Sequence, residues 1–117
     1  MTIEQFLEQL TSAPNSIEFN QLMELIEQHY QYTAASFRNG PEVYNKAGTN
    51  EGSCKIFAFA QLEGLSQSAT LACFGSFYRE EVLAQPEANN HGNIRAFIKS
   101  GWDGIEFDGV ALIKRWH

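Results

Sequence analysis

The sequence predicts a mainly α protein with a small β element: an α+β chain of about five helices around one central buried helix, with a C-terminal β-hairpin. Three observations carry that prediction. Apolar residues recur at helical spacing in several segments that begin on cap residues and stop at Gly or Pro. One segment, "CKIFAFAQLE", is apolar on every side, as a helix enclosed by others must be. Near the end, "IEFDGVAL" sets Asp108-Gly109 between two alternating triplets, a strong hairpin signal.

The first helix opens on Thr2 and Gln5 at capping-box spacing, carries Ile3, Phe6, Leu7 and Leu10 on one face, and closes before Pro14. The second repeats the device, with Asn15 as cap, Glu18 three residues on, and Phe19, Leu22, Met23, Ile26 and Tyr30 as its inward face. From Gln31 to Gly52 the helical period breaks, and Asn39-Gly40-Pro41 and Gly48 are turn signals. A short extended piece is expected at residues 35–38, and the rest reads as an ordered loop of a length that is often functional.

Ser53 is the expected cap of the central helix, which Ile56, Phe57, Ala58, Phe59, Ala60 and Leu62 surround and Gly64 ends. Ser66 caps the next helix. Leu71, Phe74, Tyr78 and Val82 form its stripe, Ala72 and Phe77 flank it, and Pro86 stops it. Gly75 falls inside that helix, which predicts close approach of another backbone, since an interior glycine costs about 1 kcal/mol against alanine. A fifth helix is capped by Asn89 or Asn90, points Ile94, Phe97 and Ile98 inward, and ends at Gly101. In the hairpin, Ile105, Phe107, Val110 and Leu112 share a face. A lone hairpin is marginal in water, so it must pack on a helix or pair with the extended piece near Phe37.

The 117 residues suit one domain, 1–117, and 44% hydrophobic with 19% charged residues is a globular composition. Nine phenylalanines predict an aromatic core. A net charge of −6 argues against nucleic acid and against an anionic membrane surface as partners. No segment has the roughly 18–20 apolar residues of a membrane span. The opening "MTIEQFLEQL" is acidic where a secretory signal is basic, so a reducing cytoplasm is the expected location. Cys54 and Cys73 fall on separate predicted helices and make no disulfide framework.

The blocks "NEGSCKIFAFAQLEGL", "TLACFGSFYREEVL" and "HGNIRAFIKSGWDGIEFDG", in this order, resemble the HopJ family of type III effectors over nearly the whole chain. The family's name implies a bacterial protein that acts by binding a partner without catalysis, with delivery into a host cell by type III secretion. No cofactor is implied. The family often places an aspartate before the histidine of the third block and a glutamine after it. Here those positions are Asn90 and Gly92, which leaves His91 without an adjacent orienting carboxylate. Residues 2–12 read as a capped amphipathic helix rather than a polar, unstructured leader.

The partner surface expected from the residues joins the loop over residues 37–53 to the helix start at His91, with Asn50, Ser53, Lys55, Arg79, Asn90, His91 and Arg95 as its polar groups. A second chemistry is a cysteine enzyme. Cys54 would be the first helical residue, its thiolate favoured by the helix dipole and Lys55, with His91 as base. Against it, a small thiol behind Gly52-Ser53 is ordinary packing material. A third is a small anionic ligand at the helix start of Gly52, Ser53, Cys54 and Lys55, where the glycine- and asparagine-rich loop with Asn45 and Asn50 presents main-chain amides. His29, His91 and His117 stand apart with no HxxxH or CxxC spacing, so no metal site is expected. Glu80 and Glu81 are adjacent on a helix and read as a solvated face, with Arg79 as partner of a nearby acid.

Overall fold

The computed structural model describes residues 1–115, so His117 lies outside the described residues. Helix α1 spans Ile3–Ser12 and starts as expected. The Thr2 hydroxyl accepts from Gln5 N at 3.0 Å, and the Gln5 side chain accepts from Thr2 N at 2.8 Å. Phe6 and Leu10 are buried beneath it. The next start differs. Asn15 sits inside a single 3₁₀ turn, Pro14–Ser16, and helix α2 spans Phe19–His29 with Glu18 as its cap. Proline at the head of that turn pre-sets its φ and shifts the helix three residues on. The buried stripe of α2 is Leu22, Leu25 and Ile26.

The expected loop over residues 31–52 contains three short strands: β1, Tyr30–Tyr32; β2, Phe37–Asn39; and β3, Val43–Asn45. Tyr30 is buried, but as the first residue of β1 rather than as a helical position. Two further strands come near the end of the chain, namely β4 at Ile105–Phe107 and β5 at Leu112–Lys114. They form no hairpin with each other. β4 pairs antiparallel with β2, completing a sheet of order β3-β2-β4, and β5 pairs antiparallel with β1. Phe37 faces Phe107 across the β2–β4 ladder, their rings stacked at 5.0 Å, so the expected pairing with the segment near Phe37 is met. Val110 is 70% exposed and leaves the face it was expected to share. Residues 108–111 bridge two sheets, so Asp108-Gly109 does not close a two-residue turn.

Helix α3, Glu51–Glu63, is the central helix. It begins two residues before the predicted cap: Asn50, not Ser53, is the N-cap, in the left-handed region at φ 49°. Gly64 ends it in the same region, as expected. Ile56, Phe57, Phe59 and Ala60 are fully buried, while Leu62 is exposed. Phe57 is the hub of the core, with ring centroids 4.9 Å from Phe97, 5.6 Å from Phe74 and 5.8 Å from Phe37. Tilted and edge-on aromatic pairs at such distances stabilise the core beyond the area they bury.

The helix predicted after Ser66 is broken. Ser66 does cap α4, Gln67–Ala72, accepting from Ala69 N at 3.1 Å. The chain then turns at Gly75, φ 63°, and resumes as a π-helix, Phe77–Val82. A Cβ at Gly75 would stand 2.8 Å from Phe19 N, so the predicted close approach is real and falls on the start of α2. Leu71, Phe74 and Val82 are buried. Helix α5 spans Gly92–Ser100 and ends at Gly101, with Ile94 and Phe97 inside. Its cap is His91, φ 53°, not Asn89 or Asn90, and Ile98 is 39% exposed rather than inward.

Candidate functional site

Asn50 and His91 are the two non-glycine residues with positive φ among the described residues, and each opens a helix. The left-handed conformation costs an L-residue roughly 1–2 kcal/mol. Neither cap side chain bonds to its own helix. The first main-chain bonds are Cys54 N to Asn50 O at 3.0 Å and Arg95 N to His91 O at 3.1 Å. The N–H groups of residues 51–53 and 92–94 therefore have no partner within their helices.

Both starts face one cavity of about 260 Å³. Asn50, Gly52 and Ser53 line it from α3, and His91, Gly92, Asn93 and Ile94 from α5. Phe19, Phe74 and Phe77 supply an apolar wall. Phe19 and Phe77 meet edge to face at 5.2 Å. Gly52 permits this wall: a Cβ there would stand 2.6 Å from the tip of the Phe19 ring.

His91 is fixed from two directions. Its Nε2 lies 2.9 Å from Glu81 Oε1, and its ring stands 5.4 Å from that of Phe77. Glu81, expected on a solvated face, is thus the carboxylate that orients His91, reached from the π-helix. A π-helix changes the angular step between residues, and the phase that carries Glu81 toward His91 is invisible to a regular helical pattern. Four asparagines form a network at the cavity: Asn50 and Asn93 line it, and Asn39 and Asn45 stand outside its lining. Asn45 Oδ1 accepts from Asn50 Nδ2 at 2.8 Å and from Asn93 Nδ2 at 2.9 Å. Asn93 Oδ1 accepts from Asn45 Nδ2 at 2.9 Å and Asn39 Nδ2 at 3.0 Å. Asn39, Asn45 and Asn93 are buried. Sequence reading passed over Asn93 because only its partners in other segments show that it is inside.

The remaining expected site residues scatter. Cys54 is 1% exposed, one turn inside α3, and its thiol donates to Ala35 O at 3.6 Å. Burial raises its pKa above the ordinary thiol value, and the Ala35 contact and Lys55 offset this only in part. His91 and Cys54 have different partners, and no hydrogen bond joins them among the described residues. Lys55 lies over the Tyr32 ring at 4.8 Å, lining a different cleft. Arg79 donates to Ile17 O at 3.0 Å and stands 3.6 Å from Glu18, the nearby acid expected for it. Arg95 donates to Asn90 O and Oδ1 and to Pro86 O, tying down the loop before α5. Of the seven surface residues expected, the cavity gathers Asn50, Ser53 and His91.

Known proteins place the chain. No curated protein matches it. A crystal structure described as that of "unknown function protein VPA0580" superposes with a TM-score of 0.96 at 52% identity, over 98% of this chain and 95% of the other. The family model described as "HopJ type III effector protein" matches residues 3–112, nearly the whole length. The chain belongs to the HopJ family.

Proposed function

We propose that this protein acts by binding rather than by covalent chemistry, and that the cavity between α3 and α5 takes a small molecule with an anionic group on an apolar body. One observation carries the reading: two helix starts, uncapped by side chains, open onto the same cavity beside three phenylalanines. Unpaired amides and two helix dipoles favour a negative group. The aromatic wall favours an apolar portion, and a concave, mainly apolar pocket with a few convergent polar groups is the usual form of a small-ligand site. The buried, protonated Cys54 lends no support to a cysteine enzyme.

Titration of the 15N-labelled protein with phenyl phosphate, inorganic phosphate and phenol tests it. Saturable shifts at the amides of residues 51–53 and 92–94, strongest for phenyl phosphate, are expected. No saturable response to either phosphate into the millimolar range withdraws the proposal.

A second reading, binding of a protein partner, has its own observation. Leu62 at 55% and Val110 at 70% exposure line an apolar groove with Ala58 and Phe107. Exposed apolar residues gathered along one groove are what a protein partner would cover. Delivery from the bacterial cytoplasm into a host cell by type III secretion belongs to this reading, since the family description names effectors. Leu62→Glu should abolish capture of any partner that the native chain retains, and a reporter fusion that never leaves the bacterium removes the delivery step.

A further inference from the structure

We infer that Asn45 is a positioning residue that holds the two helix starts at the spacing the cavity needs. The inference rests on the small-ligand reading above. Asn45 lies on β3, is 2% exposed and is not among the residues that line the cavity. Its single Oδ1 nevertheless accepts from the N-cap of α3 and from the second residue of α5, at 2.8 and 2.9 Å. Its Nδ2 returns to Asn93 Oδ1 at 2.9 Å, closing a reciprocal amide pair. One side chain therefore ties the starts of two helices whose bodies already pack through Phe57 and Phe97.

The network is costly, and that cost argues for a role beyond stability. Asn39, at its far end, donates twice to Asn93 while its own Oδ1, fully buried, has no partner among the described residues. An orphaned buried acceptor is destabilising, and an apolar cluster of the same shape would avoid it. Both helix caps also sit in left-handed backbone that L-residues disfavour. Buried polar contacts are directional where apolar contacts are not, so the arrangement gives up stability for defined geometry. A site split between two helices needs that geometry. With the spacing fixed, one ligand meets both sets of amides together; without it, each start meets the ligand alone.

The experiment is the phenyl phosphate titration repeated on Asn45→Ala and Asn50→Gly, reading the dissociation constant at each amide. In the native chain the amides of residues 51–53 and 92–94 should report one common value. Asn45→Ala should weaken binding roughly tenfold, and the two sets should report different values. That divergence separates positioning from mere destabilisation, which leaves a single common value. Asn50→Gly keeps the test sound if Asn45→Ala does not fold, because glycine suits φ 49° and the change removes the α3 tie, together with the Asn50 side chain at the cavity, while leaving the Asn45–Asn93 pair in place. It should decouple the α3 amides while those of α5 still respond. One unchanged value at both starts in both variants overturns the role of Asn45 and leaves ligand binding standing. No response in the native chain overturns ligand binding itself.

Discussion

Cys54 shows how a residue's neighbours decide between chemistry and packing. A thiol in the first turn of a helix is activated by unpaired amides, but α3 begins at Glu51, and Cys54 N already bonds to Asn50 O. The two-residue shift carries the sulfur past the dipole's reach and under the backbone at Ala35. The Cys73 thiol is buried, and desolvation pushes its pKa from the ordinary 9.0 up to about 12. Both thiols should therefore resist a disulfide reagent in the native protein and react fully in denaturant, read by absorbance of the released thiolate. A fast-reacting native thiol would restore Cys54 as a candidate nucleophile. The raised values also set a sign. The folded state holds these protons more tightly than the unfolded chain, so the Cys73 contribution is fully present below about pH 9 and is lost as pH climbs toward 12, with Cys54 acting in the same direction. Urea midpoints across that window should fall. Asn50, Ser53 and His91, which line the cavity, could be named from the sequence because they sit near predicted helix starts, although the caps fall on Asn50 and His91 rather than on Ser53 and Asn89 or Asn90. Glu81, Asn45 and Asn93 could not, because their partners lie in other segments.

At the scale of elements, amphipathic period and caps placed the helices, and the errors cluster where two signals compete. Pro14 displaced the start of α2. The stripe through Leu71, Phe74 and Val82 reads as one helix, yet Gly75 turns the chain so that the start of α2 can pack against it. Asp108-Gly109 is the sharpest case. Its hairpin signal is purely local, whereas β2 and β1 each offer a free edge that a hairpin would leave unpaired. Long-range pairing wins, and the dipeptide becomes a crossing between sheets. This has a direct consequence for Gly109. A type I′ turn needs positive φ at both central residues, but Gly109 has no positive φ here, and a Cβ added to it would meet nothing within 4 Å. Gly109→Ala should change stability by less than about 0.5 kcal/mol in urea denaturation. A loss above about 1 kcal/mol would mean that the tight turn forms after all.

At the scale of the molecule, the question is whether these parts melt together. One contiguous cluster runs from Phe6 and Leu10 of α1, through Phe57 and Phe59 of α3, to Phe97 of α5 and Leu112 of β5. Phe59 meets Phe6 and Tyr30 at 5.7 Å, while two residues earlier Phe57 meets Phe97 and Phe37. Helix α3 thus shares its two faces between the N-terminal helices and the C-terminal half. The strands reinforce this, since β1 holds β5 and β2 holds β4, each joining segments more than sixty residues apart. A chain so interleaved has no boundary at which one half can keep its core when the other opens. It should unfold as one cooperative unit, with a single urea midpoint at amides of α1, α3, α5 and β5 followed by heteronuclear NMR. The cavity is subject to the same logic. Its walls come from α2, α3, α5 and the residues around the π-helix, so the amides that face it should lose their native signals at that shared midpoint and not before. If residues of α1 and α2 melted at lower urea while α5 kept its shifts, the single-domain reading would give way to two subunits of structure, and the cavity between them would be a hinge rather than a rigid seat.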